Sequence, residues 1–235
     1  MATFRVENFI NTFYDQLEEP VRKHLKNVYS CVAISTLAAA VGGYVHLFTN
    51  IFQGGLLSAL AGLAFLILLM FTPHDGKNAS KRLCYLVGFA FATGLGLGPL
   101  MESVIMVNPQ IISLAFLATS VIFISFTLCS LFSKRGSWLF LGGSLMSAIS
   151  VMFLMGLVNL FTRSVFIYQM HLYLGLAVMC GFILYDTQLI IEKCRMGDRD
   201  FIWHSVNLFI DFVGVFRRLL ILLTQKEESK KRRRD

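Results

Sequence analysis

The run NVYSCVAISTLAAAVGGYVHLFTNIFQGGLLSALAGLAFLILLMFTPH, residues 27–74, contains no Asp, Glu, Lys or Arg. About 20 apolar residues cross a bilayer, so a charge-free stretch this long holds two crossings back to back. The pattern recurs, with no charge between Glu102 and Lys134 or between Arg135 and Arg163. Of the 235 residues, 56% are hydrophobic and 15% charged, and the mean hydropathy is +0.66. A soluble domain carries about 25% charged residues. The composition excludes an ordinary soluble globule and indicates an all-α, polytopic membrane bundle.

Outward from that run, the sequence predicts seven apolar helices: Val28 to Phe48, Phe52 to Phe71, Leu83 to Val107, Gln110 to Phe132, Ser137 to Phe161, Ser164 to Glu192, and Phe201 to Leu223. Short loops join them, so neighbours pack antiparallel in one domain spanning residues 28–223. Residues 1–27 read as a separate cytosolic segment. Within it Val6, Phe9, Ile10, Phe13 and Leu17 recur at helical spacing, the mark of an amphipathic helix on a membrane surface or capping the bundle. Residues 224–235 form a basic tail. No apolar signal-peptide core opens the chain.

Lys and Arg set the orientation. Twelve fall in the N-terminal stretch and the 2–3, 4–5 and 6–7 loops, against Arg163 alone in the other three connections. The N-terminus is therefore expected in the cytosol, and Asn78, in the only Asn-X-Ser/Thr sequon, is expected to stay unglycosylated. The seventh segment strains this rule. A full crossing carries its eight following basic residues to the other side, whereas a re-entrant segment keeps them cytosolic. The basic cluster Lys226, Lys230, Lys231, Arg232, Arg233 and Arg234 suits anionic lipid or a protein partner, not nucleic acid. The five cysteines lack metal or disulfide spacing and read as small buried hydrophobes. The histidines are scattered along the chain and suggest no metal cluster or cofactor.

Ionisable groups inside membrane segments are costly, and each is a functional candidate. Three carboxylates qualify: Glu102, Asp186 and Asp211. Asp186 lies ~10 Å and Asp211 ~16 Å from the cytosolic ends of two antiparallel helices, so the two can meet. Such a pair shares one proton, titrates as a unit and can sense pH. Deprotonated, it offers weak, transient coordination to Ca2+, which wants more oxygens than two carboxylates supply. Asn207, Thr187 and Gln188 are candidate supporting oxygens. The plainer reading has the aspartates paired with Arg217 or Arg218. Gly88, Gly94, Gly96, Gly98 and Pro99 occupy an apolar span with no preceding strand, so they mark close helix packing rather than a nucleotide loop.

Gly88-Phe89-Ala90-Phe91-Ala92-Thr93-Gly94-Leu95-Gly96-Leu97-Gly98-Pro99, then Ala115 to Ser120, Met179 to Lys193 and Leu208 to Phe212, resemble the signature of the transmembrane Bax inhibitor motif family. The resemblance implies an endoplasmic-reticulum protein that suppresses cell death and leaks Ca2+ in a pH-dependent way. It also implies a central last helix, a di-aspartyl sensor at Asp186 and Asp211, and partnership with Bcl-2-type death regulators and stress sensors of the unfolded-protein response. Bacterial relatives latch the aspartates with an arginine on the second helix; here Gln53 to Phe71 holds none, which leaves Lys81 and Arg82 as substitutes to consider. Two other classes compete. A non-conducting scaffold would act through its basic tail and partners. An intramembrane aspartyl protease would share the Tyr185-Asp186 pair, but Phe209-Ile210-Asp211 lacks its GxGD pattern and no PAL motif follows, so the chain is expected not to be an enzyme.

Overall fold

A computed structural model describes residues 18–49 and 54–233. Among these residues the chain forms seven α-helices and no strand: α1 (Glu19–Phe48), α2 (Leu56–Phe71), α3 (Ala79–Val107), α4 (Gln110–Phe132), α5 (Leu141–Thr162), α6 (Val165–Arg195) and α7 (Phe201–Arg232). Local chemistry sets several ends. Pro20 sits in the first turn of α1, where its missing N–H costs nothing. The Asp200 side chain accepts the Trp203 N–H and caps α7. Gly136, at φ 70°, turns the connection between α4 and α5, a conformation that a Cβ would oppose.

Five helices (α1, α3, α4, α5 and α6) are long and apolar enough to cross a membrane. The 16-residue α2 is equally apolar but shorter. Large side chains such as Leu37, Leu63, Leu117, Phe153 and Phe161 stand exposed on the outer surface. A soluble protein does not expose this much hydrocarbon. The architecture is that of a multi-pass membrane protein.

α7 is the axis of the bundle, packed against α1, α3, α4 and α6. Its Leu208, Phe209, Val215 and Leu220 are wholly buried. α1 and α3 press together where Gly42 faces the Phe91 carbonyl and Gly94 faces the Ala39 carbonyl, and a Cβ at either glycine would run into that backbone. α5 lies outermost, packed on α6 and burying only Leu145 and Met152.

Several expected boundaries change. α1 begins at Glu19 rather than Val28, so residues 19–27 belong to the first helix instead of a separate segment. The amphipathic stretch from Val6 to Leu17 lies outside the described residues. α3 starts at Ala79, which takes Lys81 and Arg82 into the helix. Ser137 to Phe140 belong to a turn ahead of α5. α7, the segment for which charge counting favoured re-entry, is one unbroken helix of 32 residues. Asp200 at its start contacts Arg82 of α3, while Lys231 Nζ near its end donates to the carbonyl of Val107, at the other end of α3 (2.6 Å). The tail is accordingly no independent segment: Lys226, Lys230, Lys231 and Arg232 extend α7, Arg233 closes it, and Arg234 lies outside the described residues.

Candidate functional site

Among the described residues, Asp186 on α6 and Asp211 on α7 are the two buried acidic side chains of the bundle, 9% and 4% exposed. They arrive there because α6 and α7 are antiparallel neighbours joined by the short connection from Met196 to Asp200. Their carboxyl groups lie within hydrogen-bonding reach of each other. Asp211 Oδ2 is buried and receives no hydrogen bond. Two carboxyls form a hydrogen bond only when one carries a proton, since an ionised carboxylate can accept but not donate. The pair thus sits where α6 meets α7 and would need one proton to be bonded across them. Arg218 does not neutralise it: its Nη1 donates to the Gly214 carbonyl of its own helix and the side chain packs beside Gly175.

The expected supporting residues divide. Thr187 is fully buried but turns to the Tyr29 hydroxyl of α1, 3.4 Å away. Gln188 is committed elsewhere. Its Oε1 accepts the Trp138 N–H, while Nε2 reaches Ser133 Oγ at 2.7 Å and the Lys134 carbonyl at 3.1 Å. Consecutive helical positions are separated by about 100°, so neighbours of Asp186 in sequence face other elements. Gln188 thus fastens the α4–α5 connection to α6 instead of lending its oxygen to the pair. Asn207, half-buried, lies one turn before Asp211. Glu102 belongs to the opposite end of the bundle, where it meets His46 Nε2 at 3.2 Å with about half its side chain exposed.

Arg82 does not latch the aspartates either. Only 3% of its side chain is exposed, and it donates to His74 Nδ1 and to Asp200 Oδ2. Beside it, His24 of α1 and His204 of α7 share a 2.9 Å hydrogen bond, and His204 Nε2 lies 3.4 Å from Asp198 Oδ2. Burial works to raise the Asp198 carboxyl, but the Asp200 backbone N–H, His204 and Lys193 together hold it below its ordinary value. Histidines that are scattered along the sequence are thus brought together. Helix parity was the available signal: His24, His74 and His204 all lie at the end where α1 and α7 begin and α2 finishes. Of the cysteines expected to be buried, Cys31 and Cys194 are, whereas Cys84 and Cys129 are exposed.

Residues 21–228 match the family described as Inhibitor of apoptosis-promoting Bax1. Among individual proteins, Bax inhibitor 1 of Mus musculus is 52% identical over 219 residues, covering 93% of this chain and 92% of that protein. Bax inhibitor 1 of Homo sapiens is 50% identical over 219 residues, with the same coverage of 93% and 92%. Bax inhibitor 1 of Drosophila melanogaster is 43% identical over 230 residues, covering 98% of this chain and 94% of that protein. On a family match that takes in nearly all of its helices, and identities of this size along most of its length, the chain belongs to the Bax inhibitor 1 family.

Proposed function

We propose that this protein is a proton-gated Ca2+ leak of the endoplasmic-reticulum membrane that suppresses Bax-driven cell death by lowering the content of the store. The observation that carries the reading is the contact between Asp186 and Asp211, buried where α6 meets the central helix. One shared proton ties the two helices. Losing it sets two like charges against each other in a low-dielectric site, and a second proton removes the anionic site; either change shifts the packing of α7. The deprotonated oxygens give a passing cation transient, weak coordination. Bcl-2-type regulators and stress sensors are the partners expected from the family, and the basic end of α7 is where lipid or a partner would bind. On this reading all seven helices cross, with the N-terminus in the cytosol and the end of α7 on the opposite side.

The test is Ca2+ efflux from proteoliposomes across pH 6 to 8, comparing wild type with Asp186→Asn and Asp211→Asn. Efflux should vary with pH in the wild type and lose that dependence in both variants. Unchanged pH dependence in both would overturn the sensor. No efflux above that of empty liposomes at any pH would overturn the leak itself. Removing residues 226–235 is expected to spare efflux and to weaken any interaction that depends on the basic end of α7.

A further inference from the structure

α1 and α4 each pack on α7, yet they make no substantial contact with each other. The gap between them opens into a cavity of about 550 Å³. Ala39, Ala40 and Gly43 line its α1 wall, and these small side chains leave the space unfilled. Its floor is the aromatic face of α7: Phe209, Phe212 and Phe216.

No charged residue lines this cavity. Three hydroxyls lie on its wall, those of Thr36, Tyr44 and Ser113; that of Thr36 is already committed to the Val32 carbonyl of its own helix, and the rest of the lining is apolar. Water in a buried void needs ~2–4 polar partners, and apolar cavities stay dry and take up apolar molecules. A lining this predominantly apolar favours hydrocarbon over water. Its mouth settles the source. Tyr44 of α1 and Phe116 and Leu117 of α4, which line it, stand exposed on the apolar outer surface of the bundle. The cavity is a continuation of that surface inward.

Its dimensions narrow the occupant further. The lining runs from Thr36 to Leu47 along α1, ~16 Å at the helical rise. Half of a ~30 Å hydrocarbon core is about the same length, the depth of one leaflet. On α4 the lining begins at Ile112, in the first turn of that helix, so the cavity starts near the membrane surface and ends near the midplane. We propose that this cavity holds one acyl chain of a phospholipid from the leaflet at the α3–α4 connection, inserted between α1 and α4 and seated on the aromatic face of α7. Phe212 adjoins Asp211, so the chain braces the helix that carries half of the carboxyl pair. The site depends only on the membrane placement of the bundle and stands whether or not the protein conducts Ca2+.

Contact quenching tests it directly. The protein would be placed in nanodiscs of phospholipid brominated in the middle of its acyl chains, with Trp138→Phe and Trp203→Phe to remove the native signal. Phe212→Trp then reports from inside the bundle, and Phe153→Trp on the outer face of α5 serves as the lipid-facing control. Phe216→Trp, a second conservative reporter on the same floor, covers the case in which the first variant fails to fold. The expected result is that the inner reporter is quenched as fully as the control, and that adding Ala40→Phe, which fills the mouth, restores its fluorescence. Quenching of the control alone would overturn the site. Quenching that survives Ala40→Phe would overturn the route between α1 and α4. Quenching abolished by adding a sterol would transfer the cavity to that class of ligand and overturn the acyl assignment.

Discussion

Arg82 is a buried cation held by one carboxylate and one imidazole, and such a group stabilises only while its partner is present. Removing one member of a buried pair typically costs about 3 kcal/mol or more, because the other charge is left behind. Asp200→Asn is therefore expected to lower the melting temperature in detergent although Asn still caps α7, and Arg82→Met should lower it as well. The double variant should lose less than the sum of the two; additive losses would show that the pair is not coupled. Asp198 makes a pH-dependent contribution whose sign follows from its depressed carboxyl. The stabilisation is present above the unfolded carboxylate value of about 3.9 and is lost as the pH falls through the lower folded value. Asp198→Asn should thus melt below the wild type at pH 7 and converge with it in acid, and equal melting at pH 7 would refute this. At this scale the sequence disclosed Asp186 and Asp211, because an isolated carboxylate in an apolar run has no ordinary explanation. It did not disclose Arg82 or the His24–His204 bond, whose members lie in polar flanks where charge is unremarkable until the fold brings those flanks together.

Helices in this protein outlast the hydrocarbon they cross, which is why their existence was legible and their ends were not. An apolar window measures the thickness of the membrane. Glu, Lys and Arg are good helix formers, so nothing in residues 19–27 or 226–232 stops a helix that the window had already closed. In the last segment charge counting saw Asp211, Arg217 and Arg218 and could not see that continuous packing against four helices keeps them in one rod. Packing between α1 and α3 was better announced, since the glycines stood in the sequence. Gly94→Ala would press a methyl against the Ala39 backbone, and an overpacked site of this kind typically costs about 1–3 kcal/mol. The expected result is a lower melting temperature for Gly94→Ala and no change for Gly143→Ala on α5, where a Cβ meets open space. Equal melting of the two variants would argue against close approach of α1 and α3.

The whole molecule has two distinct ends. Arg82, His74, His24, His204 and the Arg135–Glu192 ion pair gather at one; His46–Glu102 and the Lys231–Val107 contact mark the other. With the first end in the cytosol, Asn78 should remain unglycosylated in microsomes, while a sequon appended after Asp235 should acquire glycan. A glycan on Asn78 would invert the arrangement, and none on the appended sequon would return the end of α7 to the cytosol. The central position of α7 also has a consequence for biosynthesis. The ribosome makes this helix after the other six, four of which pack directly on it. Until then Asp186 lacks the neighbour that α7 brings to it. A chain that terminates before Phe201 would carry six sound helices and still display an unmatched acid to the membrane, the kind of defect by which quality control distinguishes an unfinished protein from a finished one.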